Sequence, residues 1–286
     1  MIKPMLAHKY KPAKVSYPCF VQPKLNGVRG VYVTASTRDP AYFQSRYGEI
    51  WNEPTVAHSL SCLTRLKFHL DGEFYRHGMS LQNINSRIGV VRNGAHVERD
   101  LISFHMFDVI VDVPFHKRHL IMCKLMEDYI DELHVRMVPT VEVSSESEAE
   151  YFYNQWKNQQ GYEGMMYRDA DAPYGFAHRC GNKDNRWNYL LKRKEMLDIQ
   201  ATIIGFQEMI CGTTGDPKGT LGAFELRYSN GAEGTAGSGL TNEQRAAYWA
   251  LGEEKMKGVQ VRVNYEMLSD SNIPLKPIID LVDYVL

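Results

Sequence analysis

A chain of 286 residues, 44% hydrophobic and 23% charged, has room for one large or two moderate globular domains and is neither disordered nor fibrous in composition. No stretch approaches the ~18 apolar residues that span a bilayer, and the opening MIKPMLAHKYKPAK has no apolar signal core. Five cysteines without a CxxC pair point to reduced thiols, a cytoplasmic location and no zinc knuckle.

Strand patterns fall at Cys19–Lys24, Val28–Thr34, Phe68–Tyr75, Leu101–Val111, Arg136–Val143, Glu163–Arg168 and Tyr189–Lys194. Helical patterns fall at Glu53–Leu66, Met79–Arg87, Phe115–Leu133 and Glu146–Gln159, the last opened by a Ser145/Glu148 capping box. This alternation predicts an α+β domain built on mostly antiparallel sheets. After about Leu197 the texture changes to short strands between Gly-rich turns. One helix follows there, opened by a Thr241/Gln244 capping box. Strand patterns at VQVRVNYEML and PIIDLVDYVL end the chain. That tail predicts a small OB-fold β-barrel over 198–286, following a domain of residues 1–197.

The formal charge of −1 hides an asymmetry. Residues 198–286 carry 7 Lys+Arg against 12 Asp+Glu, and residues 1–197 carry 26 against 22. A basic surface for a polyanion must therefore be local. The segment containing Arg179, Lys183 and Arg186, before Lys192-Arg193-Lys194, is the strongest candidate.

The sharpest motif is Lys24-Leu25-Asn26-Gly27-Val28-Arg29, at the end of an apolar strand pattern. A lysine can attack an activated phosphate only as the neutral amine, so such a site must control its proton. Gly27 allows close backbone approach, and Arg29 offers a fork for ribose or phosphate. The bland alternative is a hairpin turn with solvated charges. Asp71-Gly72-Glu73 and Glu163-Gly164 place acids beside glycine, which plain hairpins also do; near a cationic site they suit a divalent metal or ribose hydroxyls. In a strand, Lys192 and Lys194 share a face and could clamp a triphosphate, although a basic edge strand has the same pattern.

KxNGxR, DGE, FD, EG and KxK occur in this order, with an OB-like tail after the last. Together they resemble the covalent nucleotidyltransferase superfamily, and most closely its small bacteriophage and viral ATP-dependent DNA ligases. The resemblance covers nearly the whole chain. It implies a nucleotidyltransferase domain, ATP-grasp-like in build, over 1–197, and an OB domain over 198–286. It implies Lys24 as the nucleophile that takes AMP from ATP, with Gln22 reading the adenine and Phe107 stacking on it. Arg29 and Glu73 would hold the ribose, Lys192 and Lys194 the phosphates, and Glu163 with Asp71 the Mg²⁺, which Mn²⁺ can replace. Arg46 and Asn26 would meet the DNA, together with Arg179, Lys183 and Arg186. The implied reaction seals 3′-OH/5′-phosphate nicks in duplex DNA by a monomer, with ATP rather than NAD as donor.

Two departures stand out. The family usually has Asp where this chain has Asn26. Its basic C-terminal motif is also not evident, since no Arg or Lys follows Lys276. An RNA ligase or capping-type enzyme shares the core motifs, and a catalytically weak nick- or nucleotide-binding protein would explain the departures.

Overall fold

The run CFVQPK alternates Cys19, Val21 and Pro23 with Phe20, Gln22 and Lys24 and forms an interior strand, buried almost along its length. In the computed structural model, residues 1–36, 40–51, 63, 66–88, 96–128, 134–176 and 187–280 are described. Two compact units divide the chain, Met1–Lys194 and Glu195–Leu286.

The first unit holds strands β1 (Ala7–Lys9), β2 (Cys19–Lys24), β3 (Val28–Val33), β4 (Tyr42–Ser45), β5 (Ile50–Trp51), β6 (His69–Tyr75), β7 (Ser103–Ile110), β8 (Val135–Met137), β9 (Val141–Val143), β10 (Gly164–Asp169) and β11 (Trp187–Lys194). Its helices are α1 (Leu81–Ile88), α2 (Phe115–Asp128) and α3 (Glu146–Tyr153), the last continued by a π-helical turn over Asn154–Gln159. One sheet has the order β1-β11-β10-β2-β9, the other β5-β4-β3-β6-β7-β8. All pairings are antiparallel except β1 with β11 and β7 with β8.

The chain passes from the first sheet to the second through Leu25–Gly27. A Cβ at Gly27 would stand 2.3 Å from the Phe74 carbonyl oxygen, so only glycine allows this close crossing. Strand parity then sorts the first sheet. Cys19, Val21, Met165, Tyr167 and Leu191 pack with α3 residue Ala149 and with Trp156 on one face. Gln22, Lys24, Met166, Arg168, Lys192 and Lys194 alternate with them and take the opposite face. The second sheet is cemented by Phe43, Phe74 and Phe104, whose rings lie 4.9–5.4 Å apart.

Four predicted elements need correction or fall outside the described residues, among them the C-terminal strand pattern PIIDLVDYVL, which is described only as far as Asp280. Arg136–Val143 is not one strand: the chain breaks around Pro139, placing β8 in one sheet and β9 in the other. The helix expected at 53–66 lies outside the described residues apart from Leu63 and Leu66, as does the end of the 115–133 helix beyond Asp128. The strands β4 and β5 were not legible in the sequence. At α3, Ser145 Oγ accepts from the Glu148 N–H at 3.3 Å, but the Glu148 carboxylate accepts from Ser144 rather than Ser145.

The second unit contains β12 (Leu197–Ile210), β13 (Pro217–Tyr228), β14 (Glu233–Ala236), β15 (Gln260–Tyr265), β16 (Met267–Leu268), β17 (Pro274–Leu275) and β18 (Ile278–Asp280), with α4 (Asn242–Leu251) and α5 (Glu253–Met256). Its main sheet runs β14-β13-β12-β15-β18, and β16 pairs with β17. The long β12 is bulged at several points against β13, which curls the pair. The Thr241/Gln244 capping box forms in full. Arg245 donates to the Leu221, Gly222 and Gly237 carbonyls, pinning α4 across the sheet. The predicted closed barrel is not found among the described residues. The two sheet edges meet at a parallel bridge from Ser238 to Ile278, with the Ile279 N–H donating to the Ser238 carbonyl at 2.9 Å.

Candidate active site

Lys24 ends β2 opposite Gly164 of β10, and Gly164 in turn lies opposite Lys194 of β11. Directly opposed residues project to the same face, so two lysines flank a position without a side chain. A Cβ on Gly164 would stand 2.1 Å from the Arg193 carbonyl oxygen, so glycine is required there. Glu163, one residue earlier, reaches both amines. One carboxylate oxygen accepts from Lys24 Nζ, and the other lies 3.7 Å from Lys194 Nζ. Lys192 projects two residues before Lys194, opposite Met166.

Glu73 on β6 faces Arg29 on β3 and accepts the Gly27 N–H at 2.8 Å. Burial pushes its carboxyl up to about 7, only partly opposed by Lys24 and the Gly27 N–H. The folded chain therefore holds a proton on Glu73 through a pH range in which the unfolded chain has released it. The resulting stability is present at low pH and lost as pH rises through about 7. Glu73→Gln removes this titration. Its stability relative to the parent should rise by about 2–3 kcal/mol between pH 4.5 and 8. Urea unfolding at the two pH values measures this, and a difference independent of pH would contradict it.

Arg29 forms a bidentate pair with Asp71, at 2.9 Å from Nε to Oδ1 and 2.5 Å from Nη2 to Oδ2. Burial works against the Arg29 cation, but Asp71 outweighs it and holds the guanidinium pKa above its ordinary value. The Tyr174 hydroxyl also donates to Asp71 at 2.6 Å. Asp71 is 1% exposed with both oxygens engaged. The expectation of a metal ligand at Asp71 therefore gives way to an orienting role for Arg29.

Gln22 is likewise engaged from within. Its amide donates to the Phe107 carbonyl at 3.0 Å and to Thr140 Oγ1 at 2.9 Å, and its oxygen accepts from Arg168 Nε at 2.7 Å. Both side-chain donors are engaged inside the protein. Phe107 owes its position to a bulge. Asp71 pairs with Asp108 and Gly72 with Met106, which leaves Phe107 as the extra residue on β7. Its ring is half-buried, with the Arg29 and Arg168 guanidiniums each 5.4 Å from its centroid.

Sequence reasoning missed the network beneath this ring. Asp108, fully buried, accepts from Arg118 Nε at 2.7 Å and Arg168 Nη1 at 2.6 Å. Arg118 also donates to the Val113 and Ala172 carbonyls. Burial, with Arg118 as a second cation, lowers the Arg168 pKa despite Asp108. The available signal was an aspartate inside the apolar strand FHMFDVI, since a buried carboxylate requires a cation.

Arg46 is exposed on the turn after β4, its guanidinium 5.6 Å from the Tyr47 ring centroid. Asn26 is half-buried in the crossing between the sheets. Arg179, Lys183 and Arg186 lie outside the described residues. Among the described residues there is no group of three or more His, Cys, Asp or Glu side chains able to hold a metal ion, and no helix long and apolar enough to cross a membrane.

Solved structures share this fold. One, from work titled "DNA binding with a minimal scaffold: Structure-function analysis of Lig E DNA ligases", superposes with a TM-score of 0.78 at 19% identity, covering 98% of each chain. The Chlorella virus DNA ligase-adenylate gives 0.55 at 23% identity, covering 97% of this chain and 96% of that one. The ATP-dependent DNA ligase from bacteriophage T7 in complex with ATP gives 0.55 at 15% identity, covering 97% and 98%. No curated protein sequence matches. A family model described as the ATP dependent DNA ligase domain matches residues 4–187, which includes every motif from Lys24 to Glu163. With that match extending over well more than half of its length, the chain belongs to the ATP-dependent DNA ligases.

Proposed function

We propose that this ligase seals 3′-OH/5′-phosphate nicks in duplex DNA through AMP carried on Lys24. The observation that supports this most strongly is the row Lys24, Gly164 and Lys194, with Glu163 hydrogen-bonded to the first amine and 3.7 Å from the second. The side-chain-free position between the lysines suits a phosphate.

Glu163 is placed to take the Lys24 proton, leaving a neutral amine to attack the α-phosphate of ATP as pyrophosphate departs. Lys192 and Lys194 neutralise phosphate charge, and Arg29, oriented by Asp71, holds the ribose with Glu73. Phe107 offers its ring to the adenine, a contact worth ~1–3 kcal/mol for base–aromatic stacking. AMP then passes to the 5′-phosphate at the nick. Attack there by the 3′-hydroxyl joins the strands and releases AMP. Each step is in-line displacement at phosphorus, so positioning and charge neutralisation do most of the work.

The residues present fit Mg²⁺, with Mn²⁺ as a substitute. Glu163 provides oxygen donors only, and Mg²⁺ commonly binds through one or two carboxylates, phosphate oxygens and water. When bound, the ion spreads the charge of the phosphates. The second unit is read as an OB-type domain, supported by its curled five-stranded sheet and the Ser238–Ile278 bridge. Arg46, Asn26 and the basic segment at 179–186 are assigned to DNA, and the protein is read as an intracellular monomer.

Incubation with ATP, Mg²⁺ and a singly nicked duplex should give a sealed strand, with yield falling steeply as salt rises because phosphate contacts dominate binding. Sealing confined to RNA strands would overturn the DNA assignment. Failure even on a pre-adenylated nick would favour a binding protein.

A further inference from the structure

Between Lys192 and Lys194 stands Arg193, whose side chain leaves the opposite face of the sheet. There it is clamped. Nη1 donates to Glu150 Oε1, Nη2 donates to Glu150 Oε2 at 3.2 Å, and Nη1 lies 3.4 Å from the Tyr167 hydroxyl. The guanidinium is 3.9 Å from the Tyr153 ring centroid and 5.1 Å from that of Tyr10. Tyr10 itself stacks on Tyr167 at 4.8 Å, and its N–H donates to the Lys192 carbonyl at 2.9 Å. One arginine thus ties the last turn of β11 to α3, to β10 and to the segment after β1.

The clamp lies at the end of the strand. Lys194 ends both β11 and the first unit, and its pairing with Gly164 is the last of the β10–β11 ladder. A strand end held only by its ladder frays, and fraying would let both lysine side chains wander. We propose that Arg193 is a positioning residue for the ligase reaction: by anchoring the back of the strand it fixes the pleat that aims Lys192 and Lys194 at the nucleotide phosphates. Arginine suits this task and lysine does not, because the position demands a bidentate planar fork stacked on an aromatic ring. This inference rests on the proposed role of the two lysines.

The test is a set of single-turnover adenylation rates over a range of ATP concentrations. The chains compared are the parent, Arg193→Ala, Arg193→Lys, Glu150→Gln, the double variant Lys192→Ala/Lys194→Ala, and that double variant carrying Arg193→Ala. Displacement of the lysines should lower the maximal rate on the order of 10²-fold in Arg193→Ala, and nearly as much in Arg193→Lys. Glu150→Gln should lower it less. In the background lacking both lysines, Arg193→Ala should have almost no further effect, because nothing remains to aim. The same factor in both backgrounds would overturn the proposal and leave Arg193 a purely structural residue, as would an unchanged rate in Arg193→Ala. If removal of the two lysines itself leaves adenylation unchanged, their phosphate role fails, and this result is distinct from the other two.

Discussion

Lys24→Ala should abolish charging with AMP and lower nick sealing from ATP by at least about 10⁴-fold, because it removes the amine to which the phosphoamide bond is assigned. Lys24 is partly buried, and its removal leaves Glu163 still facing Lys194. The variant should therefore fold, with urea unfolding close to that of the parent. A pre-adenylated nick bypasses the charging step and should still be sealed. Sealing of ordinary nicks at parental rates by Lys24→Ala would remove the lysine from the reaction.

The largest stability effect is expected at a residue that meets no substrate. Asp108→Ala would leave the Arg118 and Arg168 guanidiniums buried without their shared carboxylate. Breaking a buried pair by removing one partner costs about 3–5 kcal/mol, and here one carboxylate serves two cations. Urea unfolding should show a loss in or above that range. Arg168 also holds Gln22, and Gln22 holds the Phe107 carbonyl, so any variant that folds should bind ATP more weakly. The Lys276–Glu266 pair is the contrast: its lysine is 74% exposed, and breaking it should cost no more than about 1 kcal/mol. A loss at Asp108 as small as that would mean that the two guanidiniums do not depend on their shared carboxylate.

Both predictions rest on features of unequal legibility. The strand at Cys19–Lys24 was plain because an apolar run ending in Lys and bounded by Gly27 has few other readings, and strand parity alone put Lys192 and Lys194 on one face. The hairpin of β4 and β5 was opaque: YFQS and IW are short, and the polar turn between them breaks the alternation. The strand read across Arg136–Val143 shows the converse failure, since β propensity does not reveal that Pro139 redirects the chain to another sheet.

Within the site, sequence motifs identify residue types but not partners. Asp71 and Gln22 carry the chemistry of a metal ligand and a base reader, yet Arg29, Tyr174 and Arg168 occupy them from within. Those partners lie 42 to 146 residues away, and no local pattern encodes such distances. Arg118 was hidden for a related reason. In FHKRHLIMCKLMED it reads as one more charge on a solvated helix face, whereas it is 1% exposed. The bulge that frees Phe107 is a matter of register, which the motif FD alone cannot show.

The most direct measurement is an intact-mass spectrum of the parent after incubation with ATP and Mg²⁺, with peptide mapping of any adduct, before and after addition of nicked DNA. A single AMP on Lys24, discharged when the nick is supplied, is the expected result. An adduct mapped to another residue, or one on Lys24 that survives a saturating amount of nicked DNA, would contradict the account.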